Sequence, residues 1–186
     1  MISEGNSCAW PGNDPLMMAY HDQEWGVPLH DDQKLFEFMV LDAFQAGLSW
    51  RTVLHKRENF RKAFVDFDAF RIANFGEEEV MALMQDAGII RNQAKIRATI
   101  TNAKLFLEIQ KQYGSFDKYI WQFTGGTTLY NNWTSLSQLP ARSPESDAMS
   151  KALLKLGFKF VGSTICYAFM QAAGMVNDHM LHCHCR

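Results

Sequence analysis

The chain has 186 residues, of which 47% are apolar and 13% aromatic, and a net charge of −2. That length suits one domain, here read as residues 1–186 with two helical lobes around one pocket, and it excludes a strongly basic protein but not a local basic patch. No run of about 18 apolar residues is present and Met1–Ser7 lack a signal-peptide pattern, so an intracellular, cytoplasmic chain without a membrane span is expected.

Helical periodicity dominates the sequence. Asp31-Asp32 can cap a helix over Gln33–Ala46, which places Leu35, Phe38, Met39 and Asp42 on one face. An acid on an inward apolar face is costly unless it is paired, hydrogen-bonded or used. The Gly47-Leu48-Ser49-Trp50 that follows offers a bend, an exposed apolar tip and a large ring. A segment from Thr52 to Ala73 carries Phe60, Ala63, Phe64 and Phe67 at helical spacing. Gly76 opens a helix with Glu77, Glu78 and Glu79 in its first turn, as the helix dipole prefers. A long amphipathic helix runs from Asn92 to Tyr113, and Ser115 can cap a short one containing Trp121. Residues 124–142 are irregular and are expected to form a loop joining two lobes. Ser143-Pro144 predicts a helix start, with the helix ending at Leu156. Gly157–Gly162 forms a break, and Ser163 is expected to cap the next helix, which ends near Gly174. With no period-2 strands, the fold class is all-α.

Three constellations bear chemistry. Residues 146–173 read as two helices joined by a turn with two glycines. Unpaired N–H groups there can hold a phosphate without net positive charge, so Gly157, Lys159, Gly162 and Ser163 are candidate DNA contacts. His179 and Cys183 are one helical turn apart, and Cys8 and His21 can complete a tetrahedral Cys2His2 site suited to zinc. A closed set would be structural, whereas an open three-ligand site would serve metal-assisted hydrolysis. Cys166 sits in an apolar run and reads as a small core hydrophobe. Finally, Trp10, Tyr20, Trp25 and Trp50 flank Asp42 in sequence, and stacking rings around a carboxylate describe a pocket for an extruded base.

These pieces together resemble the type I 3-methyladenine DNA glycosylase family, almost end to end. The resemblance is carried by Asp14-Pro15, Tyr20-His21-Asp22, Glu24-Trp25-Gly26-Val27-Pro28 and Gln45-Ala46-Gly47-Leu48-Ser49-Trp50. It continues through Lys56-Arg57-Glu58-Asn59, Gly88-Ile89-Ile90-Arg91, Ser150-Lys151-Ala152-Leu153, Gly157–Gly162 and Asn177-Asp178-His179. It implies an all-α helix-hairpin-helix glycosylase fold with a structural Zn2+ on Cys8, His21, His179 and Cys183, joining the N- and C-terminal segments. It also implies monofunctional excision of N3-methyladenine from double-stranded DNA by a monomer. The family's base-binding aromatics match Trp10, Tyr20 and Trp50, and its DNA-inserting residues match Gly47 and Leu48. Trp25 takes a supporting role.

Two positions depart from the family pattern. The pocket acid is Asp42 where relatives carry Glu, which withdraws the carboxylate by roughly 1 Å, a shift that matters where geometry is demanding. Met17 replaces a pocket-side Tyr and is placed among the base-binding residues. Asp42 is the expected catalytic acid, favouring the cationic base electrostatically, and no lysine suggests a Schiff-base nucleophile. Asp178 follows the hairpin, but its neighbour His179 assigns it to the metal site. Two rival readings accompany the enzyme: a damaged-DNA-binding protein whose base specificity is lost or altered through Asp42 and Met17, and a metallohydrolase with an open zinc.

Overall fold

The computed structural model describes residues 7–186; Met1–Asn6, which make up most of the stretch lacking a signal pattern, lie outside the described residues. The fold is built around α2 (Asp32–Gln45), whose residues from Leu35 to Phe44 are all buried. Asp31 caps it, accepting from Lys34 N at 2.9 Å. Leu35, Phe38, Met39 and Asp42 share the inward face as their spacing predicts.

Around this axis lie α1 (Pro15–Gln23), α3 (Trp50–Leu54), α4 (Arg57–Ala63), α5 (Ala69–Ala73) and α6 (Glu77–Gln85). They are followed by α7 (Gln93–Tyr113), α8 (Phe116–Trp121), α9 (Pro144–Leu156) and α10 (Ser163–Ala172). The segment expected to be continuous from Thr52 to Ala73 is three short helices and a 3-10 turn. Val65, Asp66 and Phe67 adopt positive φ there, which no α-helix accommodates. Its aromatic pattern still holds, because Phe60, Phe64 and Phe67 are fully buried against Phe44 and one another.

Asp14 starts α1 and Ser143 starts α9, each followed by Pro15 or Pro144 in the first turn, where a missing N–H costs nothing. Ser163 is not the cap of α10. Gly162 occupies that position, and the Ser163 hydroxyl bonds Asp147 and Ser146 of α9, tying the two helices together.

A two-residue parallel ladder joins β1 (Leu129–Tyr130) to β2 (Val176–Asn177), an element too short for sequence alternation to reveal. It fastens the 124–142 loop to the segment after α10. At that segment's start Gly174 has φ +66°, and a Cβ there would stand 2.1 Å from the Val27 backbone, so the chain after α1 passes against bare backbone. A buried ion network ties α1, α2 and α4: Arg57 donates to Glu37 at 2.6 Å and to Glu24 at 2.8 Å, and Arg61 also reaches Glu37. No helix among the described residues is long and apolar enough to cross a membrane.

Candidate functional site

A cavity of about 210 Å³ opens between the end of α2 and the face of α10. Trp10, Tyr20, Trp25, Asp42, Gln45 and Trp50 line it from one side, and Leu136, Leu139, Ala168 and Gln171 from the other. It is smaller than the ~300–1,000 Å³ of drug-sized sites, which fits a single nucleobase better than a nucleotide. The rings pack in a chain: Trp50 lies 5.0 Å from Tyr20, and Trp10 lies 6.3 Å from Tyr20 and 5.1 Å from Trp25. Met17 is not on this wall; it is buried in the core one turn before Tyr20 on α1.

Three residues that line the cavity carry buried polar atoms without partners among the described residues. Asp42 is 2% exposed and its Oδ2 has no partner among the described residues. The indole N–H groups of Trp10 and Trp50 are likewise buried and unpartnered. Three such orphans around one cavity cost stability unless a ligand answers them. Burial drives the Asp42 carboxyl well above the ordinary carboxylate range. It also raises the Tyr20 phenol, with Asp42 adding to the effect, and the Cys166 thiol behind Asp42 is pushed up to about 12 by burial. A cationic ligand would reverse the balance at Asp42, since a neighbouring positive charge favours the ionised acid.

The cavity's far wall adjoins the candidate metal centre. Trp10 packs 5.4 Å from the His21 ring and Trp25 packs 4.7 Å from the His179 ring. Cys8, His21, His179 and Cys183 are buried, with their ligand atoms within 4.8 Å of one another. His21 Nε2 lies 3.1 Å from His179 Nδ1, and S···N separations are 3.4, 3.6 and 3.8 Å. A tetrahedral zinc with Zn–S of about 2.3 Å and Zn–N of about 2.0 Å gives edges of about 3.3 Å for N···N and about 3.5 Å for S···N. The outer nitrogens agree: His21 Nδ1 donates to Asp22 at 2.7 Å, and His179 Nε2 donates to the Trp25 carbonyl at 2.9 Å. Both inner nitrogens then present lone pairs to each other, an arrangement a cation resolves. Burial already holds His179 down to about 4 and so neutral, while it pushes the Cys8 thiol up to about 12; a metal would displace that proton.

Asp178, assigned to the metal site by its sequence neighbour, faces elsewhere. Its carboxylate is fully buried and accepts four hydrogen bonds, each 2.7 Å, from Asn131, Trp133, Tyr167 and Gln171. It thereby fastens the 124–142 loop, which supplies Leu136 and Leu139 to the cavity, onto α10. Sequence reasoning took that loop for a connector; its polar and aromatic residues give no local sign of a shared acid 45 or more residues away.

Leu48 is 43% exposed at the tip beyond α2. Gly47 before it has φ +79° and open space around it, so the tip turns sharply with no side chain in the way. Lys95 holds this tip, donating to the Phe44 carbonyl at 2.8 Å and the Ala46 carbonyl at 2.6 Å. Its Nζ also lies 5.9 Å from the Phe160 ring, which places the tip beside the 157–162 turn. In that turn the Gly157 and Lys159 amides are committed internally, to Leu154 O and Asn102 Oδ1. The open donors are those at the start of α10, beginning with Gly162 and Ser163, which have no carbonyl one turn back.

A helical protein with a nucleobase-sized, ring-lined pocket beside an exposed apolar tip belongs to the class that handles extruded bases. The chain matches the family model for methyladenine glycosylase over residues 10–186 and belongs to that family. It is 52% identical to DNA-3-methyladenine glycosylase 1 of Escherichia coli, over 96% of this chain and 95% of that protein. Its structure matches a crystal structure of 3-methyladenine DNA glycosylase I at TM-score 0.95 and 51% identity, covering 97% of this chain and 100% of that one. It also matches 3-methyladenine DNA glycosylase I from Staphylococcus aureus, described for its recognition of 3-methyladenine. That match has TM-score 0.93 and 33% identity, over 97% of this chain and 96% of that one.

Proposed function

We propose that this protein is a monofunctional DNA glycosylase that hydrolyses the N-glycosidic bond of N3-methyladenine in double-stranded DNA. The observation that carries this reading is the orphaned, buried Asp42 oxygen among stacking rings, in a chain whose relatives bear that name. Methylation at N3 makes adenine cationic and a good leaving group, so the site needs charge stabilisation more than strong acid catalysis. The flipped base stacks against Trp50, Tyr20 and Trp10, and the ionised Asp42 stabilises the cation. Leu48 fills the gap in the duplex, while the open amides at the start of α10 hold a backbone phosphate. Water attacks the sugar carbon. Among the described residues, none of those lining the cavity is a lysine, the residue a Schiff-base mechanism would need.

Cys8, His21, His179 and Cys183 would hold a zinc ion, which supplies structural cross-linking of the two chain ends. Four protein ligands fill a tetrahedron, which favours that role over metal-assisted hydrolysis. Because Trp10 and Trp25 pack on the two histidines, the clamp also steadies the cavity wall. Elemental analysis of the purified protein is expected to give about one zinc per chain, and Cys8→Ser is expected to lose the metal and lower the melting temperature. A Cys8→Ser protein that keeps both would remove the metal from this account.

The protein acts as a monomer in the cytoplasm. The enzyme reading is tested by mass-spectrometric detection of free bases released from methylated duplex DNA. Selective binding of methylated DNA with no base released would favour the damage-binding alternative, in which the shorter acid at Asp42 has cost the chemistry.

A further inference from the structure

Gln171 lines the cavity opposite Asp42 and carries an acceptor of its own. Gln171 lies on α10 one turn after Ala168, and both line the cavity. Its Nε2 donates to Asp178 Oδ2 at 2.7 Å. The Asp178 oxygens accept at every one of their contacts, so the amide nitrogen faces Asp178 and the carbonyl Oε1 turns away from it. Asp178 cannot turn to follow, because Asn131 and Trp133 hold its Oδ1 and Tyr167 holds its Oδ2. Among the described residues no group donates to Gln171 Oε1.

We infer that Gln171 is a specificity-determining residue of the base pocket: its carbonyl oxygen accepts one N–H of the exocyclic amine of 3-methyladenine while Asp42 accepts the other. Asp178 is the positioning residue that fixes which end of the amide is presented. The inference rests on the methyladenine reading of the cavity and adds the basis of its choice among purines. The exocyclic amine has two hydrogens, and Asp42 and Gln171 supply one acceptor each from the two sides of the cavity. 3-Methylguanine carries a carbonyl oxygen at the same place, which would set acceptor against acceptor. Sites built on hydrogen bonds reject such analogues more strongly than sites built on shape.

The test is release of 3-methyladenine and 3-methylguanine from methylated duplex DNA by the wild type, Gln171→Met, Gln171→Asn and Asp178→Asn, with each melting temperature recorded. Gln171→Met keeps the length and loses the acceptor, so the preference for 3-methyladenine is expected to fall by about tenfold. Gln171→Asn withdraws the oxygen and should lower the preference as well, giving a second route should the first variant be unstable. Asp178→Asn offers both a donor and an acceptor, which frees the Gln171 amide to flip, and a smaller fall of about threefold is expected. Free 3-methyladenine binding, followed by tryptophan fluorescence, should weaken in parallel. A folded Gln171→Met or Gln171→Asn with the wild-type preference overturns the role of Gln171. A wild type that releases neither base overturns the cavity reading itself.

Discussion

Asp42 and Asp178 are both buried acids, 2% and 0% exposed, in opposite surroundings. Asp178 is met by four donors from two parts of the chain, the 124–142 loop and α10, whereas Asp42 has an oxygen with none among the described residues. A buried carboxylate surrounded by donors pins a fold together, while one left open marks a place where stability has been given up for a ligand. Asp42 and Gln171 line the cavity from its two sides, and Gln171 also donates to Asp178. The structural acid thus shapes the site in which the orphaned one works.

The sharpest way to break this contrast is Asp178→Ala. It would strand the donors of Asn131, Trp133, Tyr167 and Gln171, with an expected loss of about 3–5 kcal/mol. At about 2–4 °C per kcal/mol for a chain of this size, the melting temperature should fall by more than about 6 °C. A fall of only a degree or two would mean that the four bonds are replaced by water at no cost.

Asp42→Asn should act the other way round. Base release is expected to drop by about 100-fold as the charge facing the cationic base is lost. The melting temperature should hold or rise, since a desolvated carboxyl has been removed. Equal release by the variant and the wild type would make Asp42 a structural residue.

A smaller effect lies in the pH dependence. The folded pKa of Asp42 is raised, so its contribution to stability is complete below the ordinary carboxylate value of about 4 and is lost as pH rises through the folded value. The stability advantage of Asp42→Asn over the wild type should therefore grow with pH from about 4 upward. Denaturant titrations that find a constant difference between pH 4 and pH 8 would contradict the raised value.

The smallest change expected is from Trp50→Phe, which removes an unpartnered N–H and keeps a ring. Stability should move by less than about 1 kcal/mol, and base release should fall only a few-fold if stacking is the ring's main task. A loss as large as that of Asp42→Asn would instead give the Trp50 N–H a direct part in holding the base.

Much of the molecule was legible in its residues. The 3.6-residue period placed Asp42 on the buried face of α2, because that face is set by local geometry. Capping residues marked the starts of α2 and α9, and the Cys/His set came together as the ligand chemistry suggested. Three of the misreadings share one cause. Ser163 spends its hydroxyl on Asp147 and Ser146, Asp178 on Asn131, Trp133, Tyr167 and Gln171, and the Lys159 amide on Asn102. Each of these residues has at least one partner that is distant in sequence and carries no local pattern.

By itself, then, the sequence determined most of the helices through periodicity and capping, the family through its ordered motifs, and the residue types available for chemistry. The tertiary structure decided which polar groups are answered and which are left open. That choice left Asp42 and the indole N–H groups of Trp10 and Trp50, all on residues that line the cavity, without partners among the described residues, and it buried Met17 away from the cavity. The physical reason is that a hydrogen bond needs a partner within about 3 Å, and only the folded chain brings residues from separate segments that close.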